Sequence, residues 1–172
     1  AGRHKASLER MKVQYQSQVD KKSMSTLYEM FPKGGSYNHA WNAPNTILSK
    51  YIAGVRPTKK GWSEFEIMPE LVHFKTIKKT IPSVKGNIEV EIIRSDFEYY
   101  LELTSPKETE AIIGIPKENN IIEKVFVNGN CIWSKGKMKK KSKGIQLEKE
   151  DSKYLKFKIT SGDWKIKAVY KK

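Results

Sequence analysis

The chain has 172 residues, with 33 Lys and Arg against 19 Asp and Glu, which gives a formal net charge of +14. This length suits one domain of ordinary size, with or without a helical extension, and 38% hydrophobic residues are enough to fill a core. No apolar run approaches the roughly 20 residues that a membrane-spanning helix needs. The single cysteine, Cys131, excludes an intrachain disulfide and a multi-cysteine zinc site.

An amphipathic helix is predicted at the start of the chain. Leu8, Met11, Tyr15 and Val19 recur at steps of three and four residues, so they share one helical face that needs a partner to bury against. The sequence begins almost inside this pattern and has no secretory signal in front of it. We therefore expect it to be a piece of a longer polypeptide.

A polar and aromatic loop over residues 23–44 and a second helix are predicted next. Pro32 and the glycine pair at 34–35 prevent the first helix from continuing. Asn42 is a suitable N-cap, and Gly54 followed by Pro57 ends the second helix. The apolar stripe of this helix consists of Ile47, Leu48, Tyr51 and Ile52.

From residue 62 onward the hydrophobic period changes from about 3.6 to 2, which indicates half-buried strands. The apolar residues that alternate with charged ones include Ile88, Val90, Ile92, Leu155, Phe157, Ile159, Trp164, Ile166 and Ala168. Turns are predicted at residues 84–87, 95–96, 128–129 and 161–163, and the Asn-Gly pair at 128–129 is typical of a type I′ hairpin. The expected layout is α+β by content, with residues 1–60 mostly helical and residues 61–172 an antiparallel β-sandwich.

The densest basic segment, residues 135–143, raises the question of nucleic-acid binding. Its cations are all lysines, and no aromatic residue interrupts them to stack on a base. We therefore expect a solvated hairpin tip and no nucleic-acid partner. His73 has no second ligand at useful spacing, so no metal site and no cofactor are predicted.

Glu29 and His39 are the candidate chemical groups of the loop. Glu29 lies among Tyr28, Met30 and Phe31, whose burial of the carboxyl would raise its pKa and keep it basic enough to accept a proton. Aromatic rings beside carboxylates also suit carbohydrate ligands. Composition alone favours the alternative of a helix-end glutamate surrounded by core aromatics, because Glu in an apolar stretch is common.

Several motifs in order resemble the C-terminal part of bacterial α-L-rhamnosidases, glycoside hydrolase family 78. They stand at residues 26–31, 36–44, 49–57, 61–71 and 78–92, so the resemblance covers about residues 8–92 in register. The later strands fit the C-terminal sandwich of that family in kind only. The resemblance implies that the helices are the last ones of a catalytic (α/α)₆ barrel.

The same resemblance implies site residues and an activity. Family members remove terminal α-L-rhamnose from glycosides and polysaccharides with inversion at the anomeric carbon. By this resemblance, Glu29 corresponds to the family glutamate that activates water as the general base. His39 corresponds to a histidine that lines the sugar pocket, and Trp41 would form a neighbouring wall of that pocket. Tyr28 stands where tryptophan is frequent and Asn42 where serine is frequent, which leaves a hydroxyl role at position 42 open.

Inversion needs a second carboxyl group as general acid, and the family has it in earlier barrel helices that this sequence does not include. The expected partners are a rhamnose-containing glycoside or polysaccharide and a missing N-terminal barrel of the same polypeptide. We expect the fragment alone to be inactive and the whole enzyme to be periplasmic or extracellular. The alternative is a non-catalytic carbohydrate-binding or structural β-sandwich module.

Overall fold

A computed structural model describes residues 4–20, 43–117, 120–139 and 142–171. Among these residues, 55% form strands and 19% form helices, so the described part is mostly β rather than α+β as predicted. The elements are α1 (His4–Val19), α2 (Ala43–Ile47), a π-helical turn (Leu48–Ile52), β1 (Val55–Pro57), a 3₁₀ turn (Lys60–Trp62), β2 (Glu64–Ile67), β3 (Thr76–Ser83), β4 (Gly86–Arg94), β5 (Glu98–Pro116), β6 (Ile122–Val127), β7 (Asn130–Ser134), β8 (Lys137–Met138), β9 (Ile145–Leu147) and β10 (Tyr154–Tyr170). The described residues form no helical barrel.

Helix α1 confirms the predicted first helix but not its whole apolar face. Leu8 is buried and Tyr15 is half-buried, whereas Val19 is 72% exposed and Gln18 is buried instead. At 100° per residue, the buried side chains centre between Leu8 and Gln18, so the face is rotated away from Val19. The prediction for Val19 was therefore wrong.

The second predicted helix is present as α2 followed directly by the π-helical turn. Pro44 is buried in its first turn, where the lack of a backbone donor costs nothing. Ile52 is 2% exposed, and Ile47, Leu48 and Tyr51 are half-buried. The predicted apolar stripe therefore faces protein.

The sheet folds over into two layers because β5 and β10 are long and take part in both. The first half of β5 pairs with β4 and with the second half of β10, which continues through β6 to β7 and β8. The second half of β5 pairs with β2 and with the first half of β10, which also pairs with β9. The buried side chains of both halves form one hydrophobic cluster, so the layers share a core.

Residues 161–163 correct a sequence prediction. They were expected to end a strand, but they lie inside β10, where a register shift between Thr160 and Gly162 marks a bulge. The partner strand has its own irregularity opposite, because the paired residues skip from Glu110 to Ser105. A bulge bends a strand without ending it, and this is how one continuous strand reaches the second layer.

The pairing of β2 with β5 is a second correction, because it is parallel while every other strand pair of the described residues is antiparallel. β3 and β4 lie between β2 and β5 in the chain, and a parallel pair needs such a long connection. The predicted alternation itself is confirmed. Ile88, Ile92 and Phe157 are fully buried, and Glu89 between the first two is exposed.

Candidate functional site

The predicted site residues Glu29, His39 and Trp41 lie outside the described residues, in the interval 21–42. Their mutual placement and their roles stay predictions. The described chain resumes at Ala43, directly after this interval, and runs through α2 and the π-helical turn into the sheet. We call residues 43–70 the junction, since they connect the predicted catalytic loop to the sandwich.

Gly54 joins the π-helical turn to β1 through a close approach of two backbones. Its φ is +73°, and a β-carbon there would collide with the backbone of Met68 and Pro69. Met68 donates its backbone N–H to the Gly54 carbonyl at 3.0 Å, and Glu70 donates to the Ile52 carbonyl at 3.2 Å. The end of the helical segment is therefore fixed to the exit of β2, and a side chain at position 54 is excluded by both space and conformation.

Residues 58–63 form a tight loop between β1 and β2, which we call the Trp62 loop. Trp62 has φ of +58°, a conformation that is strained for a bulky side chain. Its ring is half-buried and lies 6.2 Å from the Phe65 ring with an interplanar angle of 52°. Among the described residues the indole N–H has no hydrogen-bond partner, in contrast to that of Trp164, which donates to the Thr160 carbonyl at 2.8 Å.

Glu64 holds the Trp62 loop in place. Its side chain is only 10% exposed and accepts hydrogen bonds from the Thr58 hydroxyl at 2.9 Å and the Lys59 ammonium at 3.0 Å. From the other side it accepts from Lys158 of β10 at 2.9 Å, and Lys158 also pairs with Glu110 at 2.9 Å. The network connects the loop to β2, β5 and β10.

The charges of this network are fixed by their mutual contacts. The hydrogen bonds from Lys158, then Lys59, lower the pKa of Glu64 to about 2, although burial opposes the shift. The hydrogen bonds to Glu110 and Glu64 raise the pKa of Lys158. At neutral pH Glu64 is therefore ionised and fully engaged, so it serves as a structural group and not as a general acid.

A cavity of about 640 Å³ opens between the helical segment, the Trp62 loop and β3. We call it the junction cavity. Its walls are provided by Asn45, Thr46, Ser49, Lys50, Val55, Arg56, Pro57, Trp62, Ile81 and Pro82. Arg56 is ion-paired with Glu66, while the side chains of Asn45, Thr46 and Ser49 have no hydrogen-bond partner among the described residues. The cavity thus combines an aromatic ring with unengaged amide and hydroxyl groups.

Neither a metal centre nor a membrane span is seen in the part of the chain that the structure describes. No three or more His, Cys, Asp or Glu side chains there converge so that they could hold an ion. No helix there has both the length and the hydropathy to cross a bilayer.

Residues 54–126 match the family model for the bacterial alpha-L-rhamnosidase C-terminal domain. The predicted resemblance is therefore confirmed. The matched region runs from Gly54 into β6. It comprises the Trp62 loop, the Glu64 network except Lys158, the first five strands and all of β6 but its last residue.

Two solved structures have a similar fold. The α-L-rhamnosidase from Dictyoglumus thermophilum matches 90% of this chain with a TM-score of 0.69 and 23% identity. The Streptomyces avermitilis α-L-rhamnosidase, solved in complex with L-rhamnose, matches 81% with a TM-score of 0.59 and 18% identity. The chain spans 17% and 13% of the lengths of these two proteins. A comparison with curated protein sequences gives no match.

The Glu64 network was not predicted from the sequence. In half-buried strands the charged residues that alternate with apolar ones face solvent, which holds for Glu89 but not for the buried Glu64. Lys158 is 94 residues from Glu64, so no local spacing relates the two. The sheet also begins at Val55, before the expected domain boundary at residue 60, which itself stays a prediction.

Proposed function

We propose that the chain is the C-terminal part of an inverting glycoside hydrolase that removes terminal α-L-rhamnose from glycosides or polysaccharides. The match of residues 54–126 to the rhamnosidase C-terminal domain is the observation that carries this proposal. It follows directly on the motifs at residues 26–31, 36–44 and 49–57, which resemble the end of the catalytic barrel in the same order. The motifs and the matched domain therefore support one interpretation.

In this proposal Glu29 is the general base. It accepts a proton from the water that attacks the anomeric carbon, while a carboxylic acid from the upstream barrel protonates the departing oxygen. The two groups of an inverting enzyme stand about 6.5–9.5 Å apart, which leaves room for that water. His39 binds the sugar and Trp41 forms the adjacent wall.

The junction gives the sandwich a role in this mechanism. Trp41 and α2 are separated by one residue, and the far end of the helical segment is tied to β2 through Gly54 and Glu70. A fixed helix end restricts the positions that the preceding loop can take, and catalytic groups must be held to within a fraction of an ångström. The sandwich thus acts as a support for the loop that contains Glu29 and His39.

The remaining expectations belong to the same proposal. The 172-residue chain lacks the general acid and is inactive alone, and its N-terminal partner is the helical barrel of the same polypeptide. The substrate is a rhamnose-containing glycoside or polysaccharide, and the enzyme acts in the periplasm or outside the cell.

The test uses the longer polypeptide and an aryl α-L-rhamnoside. Glu29→Gln should lower turnover by at least 1,000-fold with the circular dichroism spectrum unchanged, because the water loses its proton acceptor. Glu9→Gln, on the exposed face of α1, is the matched control and should keep full activity. Near-normal turnover of Glu29→Gln would exclude Glu29 as the base.

The stereochemistry is a second and independent test. Proton NMR of the first-formed product should show β-L-rhamnose, since the substrate is the α-anomer and one displacement inverts it. Initial release of the α-anomer would contradict the inverting mechanism. A longer polypeptide that binds rhamnosides but never cleaves them would favour the non-catalytic module instead.

A further inference from the structure

We propose that the junction cavity binds a pyranose unit of the glycan that is not itself cleaved, with the Trp62 indole as its platform. This proposal rests on the proposed function, because it takes the ligand to be a carbohydrate. The cavity volume of about 640 Å³ lies within the range of 300–1,000 Å³ that is typical of small-molecule sites. No described residue of its walls is an Asp, Glu or His, so the walls provide binding groups and no carboxylate or imidazole for acid–base catalysis.

Trp62 is held in a way that suits a binding platform. A bulky residue with positive φ, such as Trp62, is strained and persists only where its surroundings enforce that conformation. Here Glu64 enforces it, because its carboxylate binds Thr58 and Lys59 at the start of the loop. The loop backbone is thus held in place before any ligand arrives, and the contact with Phe65 supports one side of the ring.

The wall formed by the helical segment provides the polar partners of a sugar. Asn45 and Ser49 are four residues apart, which places them on the same side of the segment, and Thr46 is beside them. Their amide and hydroxyl groups donate and accept hydrogen bonds, as sugar hydroxyls do. Pro57 and Pro82 add apolar surface next to the ring, which suits the C–H face of a pyranose.

The unengaged polar groups also decide between a sugar and an apolar protein surface as the occupant. An apolar surface that closed the cavity would bury the three polar side chains and the Trp62 N–H without partners. A buried polar group without a hydrogen bond loses its hydration without compensation, so such a closure is unfavourable. A sugar satisfies these groups while it still covers the ring, so the observations favour a sugar.

The first experiment is an NMR titration of the 172-residue chain with a tetrasaccharide that ends in α-L-rhamnose. The indole N–H signal of Trp62, assigned by its absence in Trp62→Phe, should shift, and Trp62→Ala should weaken binding at least tenfold. Phe97→Ala, an aromatic that is 50% exposed and not in the cavity, should bind like the wild type. An unmoved Trp62 signal, or equal affinity of Trp62→Ala and the wild type with matching circular dichroism spectra, would overturn the proposal.

The second experiment separates this proposal from the proposed function. In the longer polypeptide, Trp62→Ala should raise KM for the tetrasaccharide at least fivefold more than it raises KM for a small aryl rhamnoside, since the small substrate does not reach the cavity. Hydrolysis of both substrates without any effect of Trp62→Ala would leave the proposed function standing and would refute the subsite. A shifted Trp62 signal in a polypeptide without hydrolysis would support the subsite and refute the enzyme.

Discussion

The junction and the β6–β7 hairpin lie toward opposite ends of the strand order, and each contains a glycine with positive φ. In the hairpin, Asn128 and Gly129 form the two-residue turn with φ of +47° and +80°, and a β-carbon on Gly129 would meet nothing within 4 Å. In the junction, a β-carbon on Gly54 would collide with the backbone of Met68 and Pro69, directly after the end of β2. Gly129 is therefore required by the backbone conformation of its own turn. Gly54 is required in addition by its close approach to a segment that is distant in the chain.

A similar contrast between local and tertiary contacts separates two glutamates, Glu108 and Glu64. Glu108 lies on the bend of β5, is 79% exposed and has a single ion pair with Lys85 at 2.8 Å. Glu64 is buried and accepts from three donors, one of which comes from β10. An ion pair exposed to water contributes little to the free energy of unfolding. The contribution of each glutamate to stability should therefore depend on how deeply the fold buries it. The following predictions test this comparison.

The largest effect is expected from Gly54→Ala. The added methyl group must displace the backbone of Met68 while the residue keeps φ of +73°, so we expect a loss of more than about 3 kcal/mol in the free energy of unfolding. Gly129→Ala is the matched control, because it has the same φ sign without the collision, and about 1–2 kcal/mol is expected. Urea denaturation measures the free energy of unfolding of both variants. Equal losses would show that the contact of Gly54 with the Met68 backbone does not matter for stability.

Glu64→Gln should have the next largest effect, about 2 kcal/mol. The amide accepts weaker hydrogen bonds than the carboxylate and leaves the half-buried Lys158 with less compensation for its desolvation. Glu108→Gln removes an exposed pair and should leave the urea midpoint unchanged within error. If the two variants unfolded at the same urea concentration, the buried network would not be stabilising.

The smallest effect is a pH dependence that belongs to Glu64. Its pKa in the folded chain is about 2, below the ordinary value, so its stabilisation is present above pH 5 and is lost as the pH falls towards 2. The difference in free energy of unfolding between wild type and Glu64→Gln should therefore be smaller at pH 3 than at pH 7. The corresponding difference for Gly129→Ala should not change with pH. A pH-independent difference for Glu64→Gln would show that its pKa is not depressed.

Much of the sheet was predictable, because burial follows the sequence period residue by residue. Val125 and Val127 are buried on one face of β6, and the Asn128-Gly129 turn follows them as predicted. The bend at Gly162 was predicted as a strand end, because a bulge and a turn use the same residue types. Burial of Gln18 instead of Val19 could not be read from spacing, since it depends on where the face of α1 meets its partner.

The candidate site residues were predicted from motifs and not from hydrophobic periodicity. Glu29, His39 and Trp41 were identified through motifs whose family resemblance is confirmed by the match of residues 54–126, while their placement lies outside the described residues. The cavity around Trp62 gave no sequence signal. Its walls come from three separate segments, and no spacing within the chain relates Asn45 to Pro82.

The sequence by itself determined most strands, the Asn-Gly hairpin and the family resemblance, because each depends on residues that are close together in the chain. Only the tertiary structure decided which glutamate is buried, where the two long strands bend, and which polar groups line one cavity with Trp62. The physical reason is that desolvation and charge pairing depend on distances in space. Glu64 and Lys158 are 94 residues apart in the chain but 2.9 Å apart in the fold.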